Sequence, residues 1–119
     1  VHLPERDDTR GYLNEERLRL LPPGALVVNT GRGAVIDEAA LARLIQAGHL
    51  GGAALDVRAQ EPPPEPDPLV ACGSRVILTP HVAGLTPAAQ LRVSLQVAAD
   101  VRRVLAGLPP LRPAPPAPA

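Results

Sequence analysis

Ala25-Leu26-Val27-Val28-Asn29-Thr30-Gly31-Arg32-Gly33 decides how this chain is read: an apolar, strand-type run passes without a spacer into an arginine held between two glycines. Short apolar runs bounded by turn residues read as buried strands, and the pattern returns twice downstream. Gly52-Ala53-Ala54-Leu55-Asp56 is a second such strand, with side chains small enough for close packing, and Arg75-Val76-Ile77-Leu78-Thr79 is a third. Between the first two, Asp37 caps a helix that carries Leu41, Leu44 and Ile45 at helical spacing and is closed by Gly48. Upstream, Asn14 caps a short helix with Glu15 and Glu16 in its first turn, where the helix dipole favours acids, and Pro22-Pro23-Gly24 stops it. Downstream, Thr86 and Pro87 start a long helix with Val93, Val97, Val101, Val104 and Leu105 on one stripe, ended by Gly107.

Apolar strands alternating with amphipathic helices predict an α/β fold, a parallel sheet flanked by helices and joined by right-handed crossovers. In such sheets ligands bind beyond the carboxyl ends of the strands. That edge collects His2-Leu3-Pro4, Asn29-Thr30-Gly31-Arg32, Asp56 and Thr79-Pro80-His81-Val82-Ala83-Gly84. Separate strands that each deliver a polar group to one rim point to chemistry.

Composition narrows the kind of chemistry. The 119 residues suit one modest domain, and an apolar content of 45% allows a small aliphatic core. Tyr12 is the only aromatic residue, which argues against base stacking on single-stranded nucleic acid. Twelve basic residues balance twelve acidic ones, so no net field gathers phosphates or an anionic membrane, and neither a nucleic acid nor a membrane is expected as a partner. No apolar run is long enough to span a bilayer and no signal pattern opens the chain; with a single cysteine, Cys72, this leads to a cytoplasmic expectation. Cys72 itself reads as a small core or loop residue. Proline, at 16 residues, clusters in 61–68 and again from Leu108, so residues 108–119 are expected to form a proline-rich disordered tail after a domain spanning 1–107. The start at Val1, inside an extended-looking run, reads as a severed beginning.

Three side chains carry the candidate chemistry. The glycines beside Arg32 let the backbone turn after its strand and hold a guanidinium fork at the rim, where it could grip a carboxylate in two parallel hydrogen bonds. The third glycine of a dinucleotide fingerprint is missing after Gly33, so this turn is not a pyrophosphate cradle. Read singly, Arg32 is equally a surface ion-pair residue. Asp56 ends an apolar strand and needs a partner there, either a polar ligand group such as a carboxamide or the following loop. Glu61 can reach back toward a rim histidine. His81 follows Pro80, which holds Thr79 extended, and a carboxylate at hydrogen-bond distance would favour the imidazolium and make it a proton donor. No His, Cys or acidic pair has metal-ligand spacing, so no metal site is expected.

At these motifs the chain resembles the D-isomer-specific 2-hydroxyacid dehydrogenases, the group that includes glyoxylate/hydroxypyruvate reductase and phosphoglycerate dehydrogenase. The ordered set His-Leu-Pro, Asn-Thr-Gly-Arg-Gly, Ala-Leu-Asp-Val, Gln-Glu-Pro and Thr-Pro-His carries the resemblance from Val1 to about Gly107. It implies the second half of a Rossmann-like, NAD(P)-binding domain. By motif position it implies that Arg32 binds a substrate carboxylate, His81 exchanges a proton with the substrate oxygen, and Glu61 orients and charges the histidine. Cofactor contacts are implied at Leu3, Thr30, Gly31, Arg32, Asp56, His81, Val82, Ala83 and Gly84. The implied cofactor is NAD or NADP, the substrate a small 2-oxo or 2-hydroxy acid, and the intact enzyme a homodimer. The glycine-rich and substrate-domain segments of such an enzyme lie outside this sequence, so the chain alone is expected to be inactive. Arg58-Ala59 stand where the family carries an aromatic and an acid, a change expected to touch no catalytic position. The alternative is a non-catalytic remnant of the same fold that dimerises or binds a partner.

Overall fold

The structure, a computed structural model, describes residues 1–113 and divides into two compact units, one of residues 1–83 and one from Gly84 onward.

In the first unit, helix α1 (Glu15–Arg19) starts where Asn14 Oδ1 accepts the Arg17 N–H at 3.0 Å, and strand β1 (Leu26–Asn29) follows the prolines. A single 3₁₀ turn at Gly33–Val35 leads to helix α2 (Glu38–Gln46), whose cap Asp37 accepts the Ala40 N–H at 2.9 Å. Strand β2 (Gly52–Leu55), a 3₁₀ segment at Val70–Arg75 and strand β3 (Val76–Leu78) complete the unit. The strands pair in parallel in the order β1-β2-β3, with Asn29 beside Leu55 and Leu55 beside Leu78. Every strand therefore ends at the same rim, and the residues that follow, Thr30 to Arg32, Asp56 and Thr79 to His81, are neighbours at it. The parallel α/β expectation holds.

Successive strand residues point to opposite faces, and one face of the sheet carries the core. Val27 and Ala53 join Leu18 of α1 and Leu41, Leu44 and Ile45 of α2 in one cluster, closed by Leu50, Leu55, Leu69 and Cys72. Each fully buried leucine contributes about 1.5–3 kcal/mol by leaving water. On the other face Leu26, Val28 and Ile77 are exposed. The apolar runs read as buried strands are thus buried on one face only, because α1 and α2 cover a single face of this unit.

The second unit is helix α3 (Pro87–Leu105), capped by Thr86 Oγ1 on the Ala89 N–H at 3.2 Å and ended by Gly107 at φ +73°. None of its residues is buried, so the stripe Val93, Val97, Val101 and Val104 lies exposed rather than packed. The proline-rich segment expected to lack structure from 108 begins by folding back on this helix. Arg103 Nε donates to Pro109 O at 2.8 Å and the Leu111 N–H donates to Asp100 Oδ1 at 2.7 Å. The rest of that expectation, residues 114–119, lies outside the described residues. Among the described residues no helix is long and apolar enough to cross a membrane.

Candidate active site

The turns that follow the three strands set the site. After β3, the Thr79 N–H continues the ladder to Leu55 O at 3.0 Å, and Pro80 then leads into His81, whose backbone stands in the left-handed region at φ +56°. A non-glycine residue there is uncommon and costs about 1 kcal/mol or more unless its surroundings hold it. Asp56 does the holding. Its Oδ1 accepts the Thr79 hydroxyl at 2.5 Å and the Val82 N–H at 2.9 Å, and its Oδ2 accepts the Ala83 N–H at 2.9 Å. One carboxylate thereby ties down the residues on both sides of His81.

The imidazole meets Glu61. His81 Nδ1 lies 3.1 Å from Glu61 Oε2, with both side chains about half exposed. The other oxygen, Oε1, accepts the Arg58 N–H at 3.0 Å, so both carboxylate oxygens are engaged. The Arg58 backbone N–H thus anchors Glu61, because the loop folds back on itself between 58 and 61, and any non-proline residue at 58 would supply the same donor.

Arg32 occupies the neighbouring turn. Asn29 fixes that turn from within, its side chain accepting the Gly31 N–H and donating to Arg32 O, both at 3.0 Å. The exposed guanidinium donates from Nη1 to Gly31 O at 2.8 Å and lines a groove with His2, Leu3, Pro4, Glu5 and Thr30. It makes no hydrogen bond to Glu61 or His81, which line a separate groove with Pro62, Pro63, Leu78 and Pro80. The two turns nevertheless abut: a Cβ on Gly33 would fall 1.9 Å from the Arg58 carbonyl carbon. A third groove, of about 250 Å³, runs along the strand ends between Thr30, Asp56, Thr79, Val82 and Ala83. Of the expected contact residues, Gly84 alone falls in the second unit.

The family model for the D-isomer specific 2-hydroxyacid dehydrogenase NAD-binding domain matches residues 1–83, the whole first unit. The chain belongs to this family. Among curated relatives it is 44% identical to the D-3-phosphoglycerate dehydrogenase of Synechocystis sp. over 92% of this chain and 19% of that protein. It is 40% identical to the Archaeoglobus fulgidus enzyme of the same name over 92% of this chain and 20% of that one. The chain thus spans about one fifth of the length of these relatives. Among solved structures, a D-isomer specific 2-hydroxyacid dehydrogenase from Xanthobacter autotrophicus Py2, in complex with NADPH and MES, matches with a TM-score of 0.84 and 41% identity, over 97% of this chain and 46% of that one. The D-mandelate dehydrogenase of Rhodotorula graminis matches with a TM-score of 0.86 and 31% identity, over all of this chain and 34% of that one.

For a family whose domain binds NAD, the rim can be tested for fit. The groove at the strand ends is mostly apolar, with one carboxylate at its border, which suits a flat ring bearing a carboxamide. Each carboxylate oxygen can accept two hydrogen bonds, and Asp56 Oδ2 makes one within the described residues. Gly31 adds a close approach, since a Cβ there would lie 3.2 Å from Leu3 O. The nicotinamide end of the cofactor fits these residues. The pyrophosphate end has no G-x-G-x-x-G loop to rest on in this sequence.

The site also predicts an acid limit. Asp56 is held below the usual carboxylate range by the Thr79 hydroxyl and then by the Ala83 N–H. Glu61 is lowered by the Arg58 N–H and then by His81, and Asp67 by the Arg58 guanidinium. A carboxylate with a depressed folded-state pKa stabilises the fold above its unfolded value of about 4, and that stabilisation disappears as pH falls through the folded value. The urea midpoint of the chain is therefore expected to fall steadily below about pH 4. In Asp56→Asn the decline should be shallower; an unchanged slope would contradict the assignment.

Proposed function

We propose that this chain is the nicotinamide-side part of the cofactor domain of an NAD(P)-dependent 2-hydroxyacid dehydrogenase acting on a small 2-oxo or 2-hydroxy acid. The observation that carries the reading is the His81–Glu61 pair at the carboxyl rim, with His81 held in a left-handed backbone by the Asp56 network. When bound, the nicotinamide supplies or takes up the hydride at the substrate's 2-carbon. His81 then gives its proton to the oxygen of that carbon, or receives it in the reverse direction, from Nε2, because Nδ1 faces Glu61. Glu61 orients the ring through Nδ1. Arg32, most of whose N–H donors have no partner among the described residues, grips the substrate carboxylate. Leu3, Thr30, Gly31, Asp56, Val82, Ala83 and Gly84 line the cofactor side. A homodimer is the assembly expected of the whole enzyme.

The 119 residues alone are expected to show no turnover of glyoxylate or hydroxypyruvate with NADH, since their sequence carries no G-x-G-x-x-G loop to cradle the pyrophosphate. Grafted in place of the matching segment of the Synechocystis D-3-phosphoglycerate dehydrogenase, residues 1–107 should support turnover. A folded graft without turnover would overturn the reading, and turnover by the chain alone would overturn the expected inactivity of the isolated segment. The first of those outcomes would favour a partner-binding remnant, a reading supported by the exposed apolar stripe of α3.

A further inference from the structure

Behind Glu61, in the wall of the groove it shares with His81, an arginine is buried between two acids. The Arg58 side chain is 8% exposed, Glu38 14% and Asp67 8%. Along one edge the guanidinium donates from Nε and Nη2 to Glu38, with Nη2–Oε2 at 3.0 Å. Along the other it donates from Nη1 to Asp67 Oδ2 at 2.8 Å and from Nη2 to Oδ1 at 3.0 Å. Burial would lower the guanidinium pKa, but Asp67 and Glu38 outweigh it and raise it, so the cation is fixed. Lysine, a point charge without a fork, could not span both carboxylates in this way.

Each acid also holds backbone. Glu38 Oε1 accepts the Ala59 N–H at 2.7 Å, and Asp67 Oδ1 accepts the Leu69 N–H at 3.0 Å. Glu38 is the first residue of α2, a fixed post, so the loop is tied at its start to a rigid element and at its end, through Asp67, back to Arg58. The residue between those ties that matters for the rim is Glu61, whose Oε1 depends on the Arg58 N–H lying where the cluster puts it. Gly33 provides the seat against which the Arg58-Ala59 backbone rests.

We propose that Glu38, Arg58 and Asp67 are positioning residues for Glu61: their buried fork-on-fork cluster sets the path of residues 58–61 and so aims Glu61 Oε2 at His81. The proposal deepens the dehydrogenase reading and rests on it for its functional meaning. Its test reads position alone, so it is decided separately from turnover of the graft.

The test follows the Glu61 side-chain carboxyl by ¹³C NMR during acid titration of the 119-residue chain, in the wild type, Arg58→Met and Glu38→Gln. Both substitutions keep the Arg58 N–H, and Glu38→Gln removes a negative charge, which alone would lower the Glu61 midpoint, so a rise in that variant reports placement rather than charge or loss of the donor. In the wild type Glu61 should titrate below the ordinary glutamate range. In both variants its midpoint should rise toward that range, while the Asp56 titration stays where it was. Arg58→Met leaves two buried acids facing each other, so Glu38→Gln, which retains the Asp67 fork, decides the matter if the first variant does not fold. An unchanged Glu61 midpoint in a folded variant overturns the proposal. Loss of the folded spectrum in both variants also overturns it, since the cluster would then be a stability element and not a positioning one.

Discussion

In the grafted dehydrogenase, His81→Asn is expected to lower kcat by about 10²- to 10⁴-fold, the usual range for removing a general acid–base. Asparagine is chosen because it isolates the chemistry. It tolerates the left-handed backbone better than any other side chain of comparable size, so the turn at φ +56° is kept. Its amide N–H can still donate to Glu61, so the loop is not released. What it cannot do is carry a titrating proton at the position of Nε2. KM for the 2-oxo acid should change far less than kcat, since Arg32 and not His81 grips the carboxylate in this account. Steady-state kinetics over pH checks both points, and a variant that keeps wild-type kcat would remove His81 from the reaction.

Gly33→Ala is expected to destabilise the first unit by about 3 kcal/mol or more, at the upper end of the usual cost of overpacking. The added Cβ would fall 1.9 Å from the Arg58 carbonyl carbon, 2.1 Å from its oxygen and 2.4 Å from the Ala59 nitrogen. These are backbone atoms and cannot swing aside as the end of a long side chain does. The turn that carries Arg32 or the loop that carries Glu61 must then move. Glycine positions therefore separate sharply: Gly84→Ala, with nothing within 4 Å of the new atom, should be close to neutral. Urea unfolding of the two variants beside the wild type measures the difference, and a wild-type midpoint for Gly33→Ala would show that the two turns do not abut.

Much of this arrangement could be read from sequence because it is local. Asn14, Asp37 and Thr86 cap the three helices as their side-chain chemistry dictates, and the three apolar runs form the strands of a parallel sheet. Parallel order then places the residues after each strand at one rim, which is why Thr30, Asp56 and His81 could be grouped before any coordinates. Contacts set by the path of a loop were less visible. That Asp56 would bind the Thr79 hydroxyl and the Val82 and Ala83 amides depends on the register of β2 against β3, which no single segment encodes. The Arg58 cluster joins residues 20 and 9 positions apart, so no local pattern marks it. One signal could have found it: an arginine three residues beyond a buried strand, with an acid at the start of the preceding helix and another at the end of the proline loop. The stripe on α3 was read as a packing face from its period, but period reports which residues share a side of a helix and not what covers that side.

The pairing of His81 with Glu61 is the point on which the site stands, and the tautomer of the imidazole tests it most directly. Which ring nitrogen carries the proton is set by the hydrogen bond the ring makes. With Glu61 accepting at Nδ1, ¹⁵N spectra of the neutral ring are expected to show the Nδ1–H form in the wild type and a shift toward the Nε2–H form in Glu61→Gln. An Nε2–H ring in the wild type, unchanged by Glu61→Gln, would contradict the pair and with it the proposed proton path.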